Sequence, residues 1–100
     1  MSVNKATIKV NIYGEEYPIK SEADITYVEQ VALYVDKKMK EVADKLPQNS
    51  PAKVAVLAAL NIADELYKER EEKEKQLLEV EKKASHLLEW LDHKLAEVEL

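Results

Sequence analysis

The chain has 100 residues, with 20 acidic groups against 15 basic ones, a formal charge of −5, one glycine and no cysteine. That length makes about one compact domain, and it makes it without disulfides, thiolate chemistry or a cysteine-held metal. One glycine is too few for the glycine-rich loops that cradle phosphates, and it leaves little for all-β folds that use glycine in turns and bulges. The acid excess speaks against nucleic acid or an anionic membrane as the main partner. The stretch MSVNKATIKV carries no apolar run of the signal-peptide kind, and no segment approaches about 18 uncharged residues, so a soluble, cytoplasmic protein is expected. Apolar residues at 46% and charged residues at 35% point to a folded chain dominated by long helices.

The first twenty residues alternate. Ile8, Val10 and Ile12 point one way and Thr7, Lys9 and Asn11 the other, as in a strand buried on one face. Tyr17 and Ile19 resume the alternation beyond Gly14, which predicts a hairpin of residues 6–13 paired with 16–20. Two strands alone are marginal in water, so their apolar face must lie on a helix. Asp24 is the expected N-cap of that helix, its carboxylate placed to accept free amides of the first turn. Val28, Val31, Ala32, Val35, Met39, Val42 and Leu46 then repeat at three and four residues as one apolar stripe. Pro47 stops the helix near Leu46.

Asn49-Ser50-Pro51 reads as a second helix start, a capping side chain followed by proline at the first helical position. No glycine or proline follows from Ala52 to Leu100, which predicts a single helix of about 72 Å at 1.5 Å per residue. Ten of the thirteen residues from Val54 to Leu66 are apolar, the exceptions being Asn61, Asp64 and Glu65. Val54, Val56, Leu57, Ala58, Leu60 and Ile62 cover more of the helix than a hairpin and one helix can bury, so a second copy is expected to cover the rest. Lys68 to Lys75 are all charged, a solvated neck with ion pairs such as Glu69–Lys73 and Glu71–Lys75. Beyond it Leu77, Val80, Ala84, Leu87, Leu91 and Val98 return at seven-residue spacing, flanked by Leu88 and Leu95. Extended backward, the register takes in Ala63 and Leu66, with Arg70 and Lys73 as charged interruptions and Lys94 near the far end. A sustained seven-residue seam is the signature of a coiled coil.

Catalytic chemistry has little to work with. His86 and His93 are seven apart, whereas one helix face grips a metal through residues three or four apart. The carboxylates lie in helical charge runs without pocket-forming loops, so neither an enzyme nor a cofactor is expected. Asn61 is read two ways: as a hydrogen-bonding functional residue, or as the top of the polar stripe through Asp64, Glu65 and Lys68.

The strand Ile8–Tyr13 followed by Gly14, the segment from Tyr34 to Glu41, and above all Lys53 to Leu66 with Ala58-Ala-Leu-Asn-Ile62 at its centre resemble the ZapA family. The resemblance is close over about residues 6 to 70; the stalk matches only in being a coiled coil. Members of that family are bacterial cell-division proteins that bind the tubulin-like FtsZ and bundle its filaments. The resemblance implies a dimeric head, with stalks that pair further into an antiparallel tetramer, acting at mid-cell. It places FtsZ binding on charged head residues near the first helix and the following loop, where this chain has Lys37, Lys40, Lys45 and Lys53. Relatives carry arginine in the hairpin turn and in that loop; here Glu15 and Pro47 stand there.

The expectation is therefore an α+β head over residues 1–67 and a coiled-coil stalk over 68–100, in a homo-oligomer. FtsZ would meet Lys37, Lys40, Lys45, Lys53 and Asn61. Copies would meet through Val54, Leu57, Ala58, Leu60, Ile62 and Leu66 in the head and Leu77, Val80, Ala84, Leu87 and Leu91 in the stalk. The function is non-enzymatic cross-linking of FtsZ filaments, the alternative being a generic coiled-coil adaptor with another partner.

Overall fold

The period-two alternation becomes a hairpin of β1 (Ala6–Ile12) and β2 (Glu15–Ser21) in the computed structural model, which describes residues 5–97. Ile12 pairs with Glu15, so Tyr13 and Gly14 alone form the loop. Both have positive φ, 51° and 81°, as the type I′ turn of a two-residue hairpin requires. Hydrogen-bonded pairs then alternate from Ile12·Glu15 to Val10·Tyr17 and Ile8·Ile19. Pro18 falls between them, opposite Lys9, where its missing N–H costs the ladder nothing.

The helix α1 spans Ile25–Lys45. Asp24 occupies the N-cap position as expected, but its carboxylate caps nothing. Its carbonyl accepts from Val28 N–H at 3.1 Å, and the turn ahead is held by Ser21, whose Oγ accepts Ala23 N–H at 3.0 Å. The apolar stripe of α1 is narrower than its spacing suggests. Ala32, Met39 and Val42 are buried, Val28, Val35 and Leu46 are half-buried, and Val31 is exposed. A hairpin of two strands is too narrow to cover a stripe that wide, and Val31 lies at its outer margin.

The helix α2 spans Pro51–Ala96, and Val98, the last seam position, lies outside the described residues. The capping side chain is that of Ser50, whose Oγ accepts Lys53 N–H at 3.2 Å. Asn49 reaches back instead, its Nδ2 donating to the Ala43 carbonyl at 3.3 Å and tying the connecting loop to the end of α1.

The chain divides after Ala63 into two compact units. In the first, Ile8, Val10 and Ala32 form one small core between β1 and α1, and Met39, Val42, Val54 and Ala58 form another between α1 and the start of α2. Ile12, Tyr13, Leu46 and Leu57 pack against the second core. The second unit is helix from Asp64 to Ala96. Glu69 and Lys73 pair at 3.7 Å, and Lys68 reaches back to Asp64 at 3.0 Å.

Candidate partner-binding and self-association surfaces

The hairpin turn is fastened to α1 by one carboxylate. Tyr13 N–H donates to Asp36 Oδ1 at 2.7 Å, and Lys40 Nζ, one turn further along α1, meets Asp36 Oδ2 at 2.9 Å. Asp36 is largely covered, with its side chain 13% exposed, whereas that of Lys40 is 63% exposed. The Lys40 ammonium first, and the Tyr13 amide second, hold the Asp36 carboxyl below its ordinary value; partial burial opposes them. Tyr13 is a non-glycine residue in the left-handed region, which costs energy that this bond and the packing of its side chain offset. Beside the turn is a cleft of about 310 Å³ lined by Ile12, Tyr13 and Tyr17 of the hairpin, Met39 of α1, and Pro51 and Ala55 of α2. The turn, the second half of α1 and the start of α2 thus meet at one end of the first unit.

Of the residues expected to bind a partner, Lys40, Lys45 and Lys53 fall on the elements that meet at that end, while Asn61 lies ten residues along α2 from Pro51, beside Ile62 of the groove with Val31 and Tyr34. Lys37, Lys45 and Lys53 are exposed, Lys45 closing α1 and Lys53 standing in the first turn of α2. Lys40 is engaged with Asp36. Asn61 is exposed although it lies, two turns on, on the same side of α2 as buried Val54. Asp36 and the Tyr13 amide were not singled out from sequence. The only signal was an aromatic residue at a turn position that favours asparagine, aspartate or glycine. Lys38 was also passed over: it pairs with Glu41 at 3.8 Å, and its ammonium stands 5.3 Å from the centre of the Tyr34 ring.

The residues expected between copies also separate. Val54 and Ala58 are enclosed within the chain's own core and have no surface left for a partner. Leu57 and Ile62 are half-buried, while Leu60, at 60% exposure, and Leu66 stand open. So do Leu77, Val80, Ala84, Leu87 and Leu91 of the second unit, together with Trp90, whose ring lies 5.9 Å from Lys94 Nζ. The head offers further apolar surface. Tyr17 and Ile19, opposite buried Val10 and Ile8 on the same sheet face, remain 42% and 37% exposed. Tyr27, Gln30, Val31, Tyr34, Val35 and Ile62 line a groove of about 280 Å³. Among the described residues no three His, Cys, Asp or Glu side chains gather as a metal site, and no helix is long and apolar enough to cross a membrane. His93 pairs with Glu97 at 3.3 Å on the exposed helix.

The sequence matches the family described as cell division protein ZapA over residues 8–98. The chain belongs to the ZapA family. It is 38% identical over 72 residues to the cell division protein ZapA of Bacillus mycoides, covering 72% of this chain and 81% of that one. To the ZapA of Shouchella clausii it is 43% identical over 65 residues, 65% of this chain and 83% of the relative. Among solved structures, a ZapA mutant dimer from Geobacillus stearothermophilus superposes with a TM-score of 0.60 at 35% identity, covering 78% of this chain and 91% of that one. An unknown conserved bacterial protein from Pseudomonas aeruginosa superposes with a TM-score of 0.74 at 30% identity, covering 87% and 97%. The hairpin followed by two helices, the second very long, is accordingly a ZapA-family architecture, and the chain is a cell division protein of that family.

Proposed function

We propose that this chain is a non-enzymatic cross-linker that binds FtsZ, bundles its filaments and acts at the division site in the cytoplasm. Residues 1–67 form a dimerising, FtsZ-binding head, and residues 68–100 form a stalk through which two dimers pair antiparallel. The observation that carries the reading is the apolar surface one ZapA chain leaves uncovered: Val56 and Leu60 on α2, the groove around Val31 and Tyr34, and the seam from Leu77 to Leu91. Exposed apolar patches of this kind mark interaction sites. The Geobacillus relative supports a second copy as the occupant, being a dimer of the same fold.

The mechanism is geometric. Heads at the two ends of a paired stalk hold two filaments at once, and the second contact forms at the high effective concentration set by the first. FtsZ meets Lys37, Lys45 and Lys53, with Lys40 and, further along α2, Asn61 contributing. Exposed lysines lose their attraction as the screening length falls from about 10 Å at 0.1 M salt to about 3 Å at 1 M. Co-sedimentation with FtsZ, read with the mass from light scattering, tests the reading. The chain should pellet with FtsZ at low salt and not at high salt, and the Lys45→Glu, Lys53→Glu double variant should fail to pellet while keeping the wild-type mass. A wild-type chain that leaves FtsZ sedimentation unchanged at low salt sinks the reading in favour of an adaptor for another protein.

A further inference from the structure

The ammonium of Lys40 lies 2.9 Å from a carboxylate whose other oxygen holds the hairpin turn. Swinging Lys40 away to reach a partner would mean giving up that carboxylate. Doing so would leave Asp36, largely covered by the head, without its cation. The Tyr13 side chain packs against the second core, but packing covers the turn only in part. The cleft of about 310 Å³ beside it leaves slack, and Tyr13 holds a left-handed conformation that an aromatic residue adopts at a cost. A single charge-assisted hydrogen bond of 2.7 Å, 23 residues apart in sequence, fixes where the turn sits against α1. That bond also sets the turn relative to the loop between Lys45 and Lys53, because the cleft is lined jointly by the hairpin and by Pro51, Ala52 and Ala55.

Resting on the FtsZ-binding reading above, we propose that Asp36 is a positioning residue of the binding surface. It clamps the hairpin turn through the Tyr13 amide, and Lys40 acts on the partner only by holding Asp36. Lys37, Lys45 and Lys53 make the direct contacts. Pre-arranging a surface lowers what binding must spend on ordering it, so losing the clamp weakens association without removing a contact charge.

The test compares Asp36→Ala, Lys40→Met and Lys45→Met in the full chain by two readouts: hydrogen exchange of the Tyr13 amide, and FtsZ co-sedimentation over a range of salt. Asp36→Ala should speed Tyr13 exchange by about ten- to a hundredfold, the equilibrium span of one hydrogen bond to a charged group, and weaken pelleting by up to a similar factor. Asp36→Asn keeps an acceptor for the amide and should recover most of both losses, which separates the clamp from general instability. Lys40→Met should speed Tyr13 exchange and weaken pelleting, yet leave the steepness of the salt dependence at the wild-type value. Lys45→Met should flatten the salt dependence and leave Tyr13 exchange alone. The proposal is overturned if Lys40→Met flattens the salt dependence as Lys45→Met does while Tyr13 exchange stays at wild type. It is equally overturned if Asp36→Ala frees the Tyr13 amide but pellets like wild type. Should the wild-type chain not pellet with FtsZ at all, the partner reading fails, and the exchange measurement still decides whether the clamp exists.

Discussion

Replacing Leu60 by alanine or aspartate probes whether a second copy covers α2. Leu60 is 60% exposed in the single chain, so little of its side chain stabilises the protomer itself. Burying a whole leucine side chain is worth roughly 1.5–3 kcal/mol, so covering the open share contributes about 1–2 kcal/mol per copy. In a two-fold dimer the residue counts twice, about 2–4 kcal/mol, which is roughly a 30- to 700-fold change in dissociation constant. Leu60→Ala should weaken the dimer by a factor in that range. Leu60→Asp goes further, since two carboxylates would be drawn out of water beside each other. The protomer has little to fall back on. Among the described residues its buried core is Ile8, Val10, Ala32, Met39, Val42, Val54 and Ala58, and of their larger side chains only Val54 is fully enclosed. Leu60→Asp is therefore expected to lose the dimer and most of the helical circular-dichroism signal together. Light scattering and circular dichroism on one dilution series measure both. A Leu60→Asp monomer with wild-type helicity at micromolar concentration would refute the reasoning.

Truncation after Lys75 removes the apolar seam from Leu77 onward and should leave dimeric heads that still pellet with FtsZ but bundle poorly, which electron microscopy of the pelleted filaments would show. Ser50→Ala removes the acceptor for Lys53 N–H and should cost about 1 kcal/mol, lowering the thermal midpoint by about 4–8 °C at fixed protein concentration. Asp36 titrates lower in the folded chain than in the unfolded one, so its stabilisation is present above the ordinary value of 3.8 and is lost as pH falls through the lower folded value. The urea midpoint should accordingly drop on acidification below about pH 4, and drop less in Asp36→Asn, whose midpoint at neutral pH is already lower. An Asp36→Asn acid profile parallel to wild type would count against this carboxylate as the source.

The elements were legible because each has its own period. Alternation at Ile8, Val10 and Ile12, three-and-four spacing through Met39, and the Ser50-Pro51 start all survive without knowledge of what lies opposite. What a period does not carry is the width of the layer that covers it. Val31 belongs to the same stripe as Ala32 and Val35, yet it stands exposed, since whether it is covered depends on how many strands the hairpin has. The same blindness affected α2, where Val54 and Ala58 turned inward and Leu60 outward, although all six of the apolar positions weighed there looked alike in sequence. The Asp36 clamp was out of reach for another reason. Its partner is a backbone amide 23 residues away, and a backbone amide leaves no mark in the sequence.

That difference between inward and outward faces gives the proposed assembly its physical ground. A hairpin of two strands and one helix can enclose one side of α2 and no more, so Val54 and Ala58 are satisfied while Val56 and Leu60 are not. The hairpin has the same shortfall, with Ile8 and Val10 covered and their cross-strand neighbours Ile19 and Tyr17 left partly open. A fifth element in the same chain could have closed both gaps and made a monomer. Residues 64–96 instead continue as helix, carrying their own uncovered line of Leu77, Val80, Leu87 and Leu91. Each unit therefore has apolar surface that the chain itself leaves bare, and each can be completed by another copy. A chain with two such surfaces separated by the charged neck from Lys68 to Lys75 can pair through its heads and through its stalks separately. Such double pairing is what a cross-linker requires and a simple dimer lacks.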